Sequence, residues 1–384
     1  MEKDTRTRFS KRTPASLEAN EIARLLSERR NLGQPILDAT VSNPTACGLG
    51  SLDAGSIAFA DTLPYRADPQ GDAAAREAIA AVWRPGIDPD DLYLTSSTSE
   101  AYSALIRVHC DPGDEVLVPL PSYPLIEHLC TVDAVRPVFY DHRFAEGWWI
   151  DVADLDRLRT DRTRMMVVVH PNNPTGHYLR PAEMEAIRAW CVRHGIVLVS
   201  DEVFFEYRFS KEAPVRSFSH GPSAGVPLYV LGGFSKYLAA PQWKLSWIHR
   251  VGGEPRAHEA LLWILDLFLS VGGFSTAGAI EALKRREDVQ GAILERIRKN
   301  WERLRVALRG DGRFNVLQPE AGWCAMVALL ESRSDEAFCL ERLRTQGLSL
   351  QPGSWFQAPM PSMVLSLLPK PKDFDEILAC LAAR

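Results

Sequence analysis

Four short runs constrain this chain more than anything else in it: DEVLVPL (114–120), RMMVVVH (164–170), GIVLVSDE (195–202) and PLYVLGG (227–233). Each is apolar on consecutive positions rather than alternate ones. A strand reads that way when both of its faces are buried, and such runs separated by helical stretches predict a mostly parallel sheet covered by helices on both sides. The fold class is therefore α/β. GDAAAREAIAAVW (71–83) reads as one of the covering helices. Thr13-Pro14 before ASLEANEIARLLSERR predicts a capped first helix ending near Gly33.

After LSWIHRV (245–251) the pattern changes. A long charged amphipathic stretch, including GAILERIRKNWERLRVALRG (291–310), precedes two or three short strands and a closing helix. This predicts a large domain over 50–270 and a smaller α+β domain built from 1–49 and 271–384. The Pro-rich QPGSWFQAPMP (351–361) is expected to be a loop over an edge of the smaller domain.

With 384 residues, 46% hydrophobic and 24% charged, the chain can bury two sizeable cores. Its net charge of -5 and lack of a long basic run argue against nucleic acid or an anionic membrane as partner. Seven scattered cysteines without a CxxC pair read as reduced core residues. The charged N-terminus lacks a signal-peptide core, and LLWILDLFLSVGGF (261–274) is too short to span a bilayer. The expected setting is cytoplasmic, and the expected partner a small molecule.

In an open parallel sheet, ligands bind beyond the carboxyl ends of the strands. Asn172-Asn173-Pro174-Thr175-Gly176, Ser200-Asp201-Glu202 and Phe234-Ser235-Lys236 each follow an apolar run. An amide, a carboxylate and a lysine thus converge on one rim. That set suits a pyridine aldehyde cofactor: the amine condenses with the aldehyde, the carboxylate keeps the ring nitrogen protonated, and the amide holds the ring oxygen. Taken singly, Asn173 is equally a turn residue and Asp201 a helix N-cap. Ser97 and Glu100 in LTSSTSEAYSALIRV are spaced as a capping box, and the same helix start would present N–H groups to an anion such as a phosphate.

NNPTG (172–176), SDEVF (200–204), the FSK lysine with a cation eight residues on, and PLPSYP (119–124) together resemble the class I/II aminotransferases, which are fold-type I pyridoxal phosphate enzymes. The resemblance runs from about residue 38 to the C-terminus. It implies that Lys236 anchors the cofactor covalently and carries the proton, that Asp201 pairs with the ring nitrogen, and that Asn173 donates to the ring hydroxyl. By the same resemblance Tyr123 stacks on the ring, although it is also read as an ordinary buried aromatic. Ser97, Thr98 and Lys244 would hold the phosphate, and Tyr65 would reach the phosphate of a neighbouring subunit in a homodimer.

Four departures mark an atypical branch. Phe204 stands where a tyrosine is usual, with Tyr207 nearby, and Gly233 replaces a serine. Lys244 replaces an arginine, trading a bidentate fork for a point charge. Val364 occupies the place of the arginine that clamps a substrate carboxylate; Arg66, Lys370 and the N-terminal RFSKR are the alternative cations. The expected function is transfer of an amino group between an amino acid or related amine and a 2-oxo acid. The competing readings are lyase or decarboxylase chemistry on the same cofactor, and a binding protein that keeps the fold without turnover.

Overall fold

The computed structural model describes residues 10–14, 18–50, 67–145, 147–209, 215–221, 225, 227–269 and 271–383. All four apolar runs are central strands of one eight-stranded sheet. Its spatial order is Leu92–Thr95, Ser246–Gly252, Leu228–Gly233, Val197–Asp201, Thr163–Val169, Glu115–Leu120, Arg136–Phe144 and Trp148–Ile150. The five strands from Leu228–Gly233 to Arg136–Phe144 pair in parallel, while the three outer strands run antiparallel to their neighbours.

The period-2 geometry of these strands divides their side chains between two cores. Met166, Val168, Leu198 and Val230 point to one face, against helices Ala73–Trp83, Pro181–His194 and Gly273–Leu283. Met165, Val167, Val199 and Leu231 point to the other, against Thr98–His109, Leu125–Val132 and Pro255–Asp266. Each fully buried aliphatic side chain contributes about 1.5–3 kcal/mol, so a charge at Val167 or Val168 would break the layer it faces. Helix Gly273–Leu283, which the sequence pattern assigns to the smaller domain, joins the large-domain core through Ala279, Ala282 and Leu283, packing on helix Ala73–Trp83 and the turn Pro241–Trp243.

A second, antiparallel sheet runs in the order Phe314–Val316, Cys324–Leu329, Ser362–Ser366, Gln351–Pro352. Helices Glu21–Asn31, Arg286–Ala307, Asp335–Gln346 and Pro371–Ala382 surround its own core. Two details differ from expectation. The first helix starts after Asn20, whose Oδ1 accepts from the Ala23 N–H at 2.8 Å, because an Asn cap here replaces the anticipated Thr13 start. The Pro-rich segment is more than a loop: Gln351–Pro352 forms an edge strand, where the proline's missing N–H costs no ladder bond.

The two sheets meet at the NNPTG loop. The N–H groups of Glu320 and Ala321 both donate to the Gly176 carbonyl, at 3.2 and 3.1 Å. The Glu320 carboxylate accepts from the Tyr178 N–H at 3.0 Å and from Arg180 at 2.5 Å. Gly176 has φ +72°, and a side chain there would strike the Ala321 carbonyl and Pro319. The loop therefore fixes the distance between the layers, and a cavity opens beside it.

Candidate active site

The cavity, about 250 Å³ in volume, lies between the carboxyl ends of the large sheet and one face of the small one. On the large-sheet side it is lined by Thr98, Tyr102, Tyr123, Asn173, Asp201 and Lys236. Trp323, Cys324, Gln351, Phe356 and Ser366 line the opposite side. Of the expected site residues, Thr98, Tyr123, Asn173, Asp201 and Lys236 come together here.

Asp201 ends its strand and accepts hydrogen bonds from the Val203 N–H at 3.1 Å and the Tyr102 hydroxyl at 2.9 Å. Burial pushes its carboxyl up to about 6 against those two bonds, with Glu202 adding to the rise and Lys236 opposing it. It is a carboxylate at neutral pH, held by a neutral donor. Glu202, next in sequence, points away into a buried network with Arg84 (3.1 Å), Ser217 (2.5 Å) and the Phe218 N–H (2.8 Å).

The adjacent asparagines divide two tasks. Asn172 makes the turn: its Oδ1 accepts from the Thr175 hydroxyl at 2.8 Å and its Nδ2 donates to the Pro121 carbonyl at 3.2 Å. The Asn173 side chain lines the cavity and has no hydrogen-bond partner among the described residues. An amide left open at a cavity wall is a donor awaiting an acceptor. Below this loop His170 is fixed as a neutral ring, since its Nδ1 accepts from the Leu179 N–H at 3.1 Å and its Nε2 donates to the Arg216 carbonyl at 2.9 Å.

Lys236 sits in a single helical turn, Phe234–Tyr237, at the end of strand Leu228–Gly233. The Tyr207 hydroxyl donates to the Lys236 carbonyl at 2.6 Å and holds that turn. Tyr207 is therefore committed to backbone and does not take over the cavity position of Phe204. The Lys236 Nζ lies 5.5 Å from the Phe204 ring centroid and 5.1 Å from that of Trp323. Burial pulls its pKa below the ordinary lysine value, with Cys324 and Asp201 acting the other way. A desolvated amine of lowered pKa is poised for nucleophilic attack.

Tyr123 is 52% exposed at the mouth, its ring 6.4 Å from that of Phe356. Ser97 caps the helix Thr98–His109 by accepting from the Glu100 N–H at 3.2 Å. The capping box is displaced by one residue, because the Glu100 carboxylate takes the Ser96 N–H and hydroxyl, each at 2.6 Å, instead of the Ser97 N–H. Lys244 is exposed, in left-handed backbone at φ +49°, outside the cavity lining. Tyr65 lies outside the described residues.

The departures have local causes. Gly233 pairs with Ser246 across the sheet, and a side chain at 233 would run into the Ser246 hydroxyl. Gly232 likewise receives the Trp247 indole, and a Cβ at Gly278 would fall inside the Trp243 ring. The large residues of PQWKLSW are thus seated on small ones elsewhere, so the segment is repacked rather than degraded. Val364 is 1% exposed among Met326, Phe356, Trp148 and Leu317. Lys370 is exposed and outside the cavity lining, while Arg66 lies outside the described residues.

Sequence reasoning missed Tyr102 and the whole small-sheet wall. Tyr102 was findable, since it lies one helical turn after Thr98 and shares its face. Gln351 and Ser366 carried no comparable signal, because neither follows an apolar run that ends at a ligand-binding rim.

Residues 62–368 match the family model "Aminotransferase class I and II". Among curated relatives, an alanine aminotransferase of Mycobacterium tuberculosis is 29% identical over 234 residues, covering 59% of this chain and 54% of that protein. The chain thus matches about half the length of that relative. An arginine–pyruvate transaminase of Pseudomonas aeruginosa is 28% identical over 357 residues, covering 90% of this chain and 85% of that one. Among solved structures, an alanine aminotransferase from Pyrococcus furiosus superposes with a TM-score of 0.87 at 23% identity, covering 98% of each chain. This last likeness is one of fold. A family match across both sheets and the whole rim that bears Asn173, Asp201 and Lys236 makes this chain a member of the class I and II aminotransferase family.

Proposed function

We propose that this protein is a pyridoxal phosphate-dependent aminotransferase, exchanging an amino group between an amino acid or related amine and a 2-oxo acid. One observation carries the reading: a buried amine of lowered pKa, Lys236, shares a cavity with the ionised Asp201 and the unpartnered amide of Asn173. These groups fit the cofactor. Lys236 would hold its aldehyde carbon, Asp201 its ring nitrogen, Asn173 its ring oxygen and the helix start at Ser97–Thr98 its phosphate, with Lys244 as a further cation. The bound ring supplies an electron sink for the carbon that loses and regains a proton.

The chain's own residues do the rest. Asp201 as a carboxylate would keep a proton on the ring nitrogen it faces, and Tyr102 fixes the carboxylate's orientation. Once the substrate's amino group has taken its place on the aldehyde carbon, the Lys236 amine, free of any described hydrogen bond, would take and return the proton at the reacting carbon. Phe204 and Trp323 crowd it and exclude water, which keeps the amine neutral more of the time.

A homodimer is part of the proposal, as is a division into a large domain over 50–270 and a smaller one from 1–49 and 271–384, with helix Gly273–Leu283 lending Ala279, Ala282 and Leu283 to the large-domain core. A reducing, cytoplasmic setting is supported by seven free cysteines. No helix among the described residues is long and apolar enough to cross a membrane.

Borohydride reduction of the protein loaded with pyridoxal phosphate, followed by peptide mass mapping, tests the cofactor assignment. The expected adduct is on the peptide containing Lys236, and an adduct on Lys244 alone, or none, contradicts it.

A further inference from the structure

The small-sheet wall of the cavity is built for an uncharged group. In the ladder, Gln351 pairs with Val364 and Val364 with Met326, so these three side chains share one face of the sheet. Ser366 and Cys324 are the next pair along that face. Val364 and Met326 are buried in an apolar cluster with Phe356 and Trp148. What the face offers the cavity is therefore the Gln351 carboxamide, the Ser366 hydroxyl and the Cys324 thiol.

Each of these groups is neutral and available. The Gln351 side chain lines the cavity and has no hydrogen-bond partner among the described residues. Ser366 Oγ accepts from the Leu368 N–H at 3.2 Å, which leaves its own proton free to donate. Burial pushes the Cys324 thiol up to about 11, so it stays uncharged at neutral pH. Among the described lining residues the charged groups are Asp201 and Lys236, both on the opposite wall.

We propose that Gln351, seconded by Ser366, is the specificity determinant of this cavity, reading an uncharged polar group on the substrate, a carboxamide or an alcohol, where a carboxylate would otherwise sit. The inference rests on the aminotransferase reading and narrows it. A carboxylate brought against Gln351, Cys324 and Phe356 loses its water and gains no opposite charge from this wall. A carboxamide instead completes a donor–acceptor pair with the Gln351 amide and costs no charge desolvation.

The test uses the holoenzyme, matched donors and matched amine-free ligands. Alaninamide and alaninol are compared with alanine by kcat/KM, and propionamide with propionate by calorimetric binding. The expected result is a preference of at least about tenfold for the uncharged member of each comparison. Gln351→Leu is expected to raise KM for alaninamide about tenfold with a smaller change in kcat. Gln351→Arg is expected to reverse the order of alaninamide and alanine. Alanine outrunning alaninamide, with Gln351→Leu leaving both unchanged, overturns the inference. If Lys236 is trapped with cofactor in that case, the aminotransferase reading survives. A protein that binds no cofactor and transfers no amino group from any donor overturns both.

Discussion

The two walls of the cavity differ in kind. The large-sheet wall is polar and charged, its groups standing at the ends of buried strands: Asp201 after Val197–Ser200, Asn173 after Thr163–Val169, Lys236 after Leu228–Gly233. The small-sheet wall is neutral: Gln351, Ser366 and Cys324 share one face of an antiparallel sheet with the buried Val364 and Met326. Reactive groups sit on the rigid, doubly covered sheet, where desolvation tunes their pKa values. The groups proposed to read the substrate sit on the other layer. In the proposed reaction, chemistry and selectivity are carried by different parts of the chain, and each can be broken alone.

The largest break is Lys236→Ala, which removes both the proposed anchor and the proton carrier. Amino-group transfer is expected to fall by about 10²–10⁴-fold or more, measured as oxo product formed per subunit, with the melting curve little changed. Asp201→Asn should cost about 10²–10³-fold in kcat, because a neutral amide stabilises the charge that develops on the ring less well.

Asp201→Asn also separates function from stability. The folded carboxyl titrates near 6, above its unfolded value of 3.8, so ionised Asp201 destabilises the cofactor-free fold at neutral pH. That penalty, on the order of 3 kcal/mol, is full above the folded pKa and fades as pH falls from about 6 towards 4. The cofactor-free Asp201→Asn protein should therefore melt higher than wild type at pH 7 and lose that advantage near pH 4. Equal melting at both values would contradict the burial argument.

Tyr102→Phe is a smaller change. It removes a hydrogen bond to the ionised form, which holds the Asp201 pKa down, so that pKa should rise further. Activity needs the carboxylate, so the acid limb of the kcat profile should move to higher pH while the rate on the plateau changes little. A limb that stays put would mean that Asp201 is not the group being titrated.

The smallest expected effect is on the neutral wall. Cys324 is a buried thiol pushed to about 11, hence a poor nucleophile despite its place beside Lys236. Cys324→Ser should change activity by about threefold or less, since surface-lining substitutions away from a bonded network fall within about 0.5 kcal/mol. Iodoacetamide should label it slowly at pH 7.5, and rapid inactivation that Cys324→Ser abolishes would move this residue to the reactive wall.

The sequence was legible where the physics is local. Continuous apolar runs announced the central strands, and the polar residue after each run announced the charged wall. Local chemistry alone does not separate Asn172 from Asn173; the family resemblance singles out Asn173, and the fold shows that the Asn172 amide is spent on Thr175 and Pro121. The antiparallel direction of strand Ser246–Gly252 and the edge strand Gln351–Pro352 were hidden for a different reason. One partner of Ser246–Gly252, the strand Leu92–Thr95, is distant in sequence, and a proline at a sheet edge reads locally as a turn. The neutral wall depends on a pairing that no local pattern announces, so Gln351 became visible only through its register with Val364.

The central claim is that this cavity passes an amino group from donor to acceptor, and isotope transfer tests it most directly. Holoenzyme is supplied with a ¹⁵N-labelled amine donor and an unlabelled carbonyl acceptor, and the products are weighed by mass spectrometry. The account predicts that ¹⁵N appears in the aminated acceptor, in step with the oxo product, and that Lys236→Ala abolishes both. Label released as ammonia or retained in a decarboxylated donor, with no labelled acceptor, would contradict it.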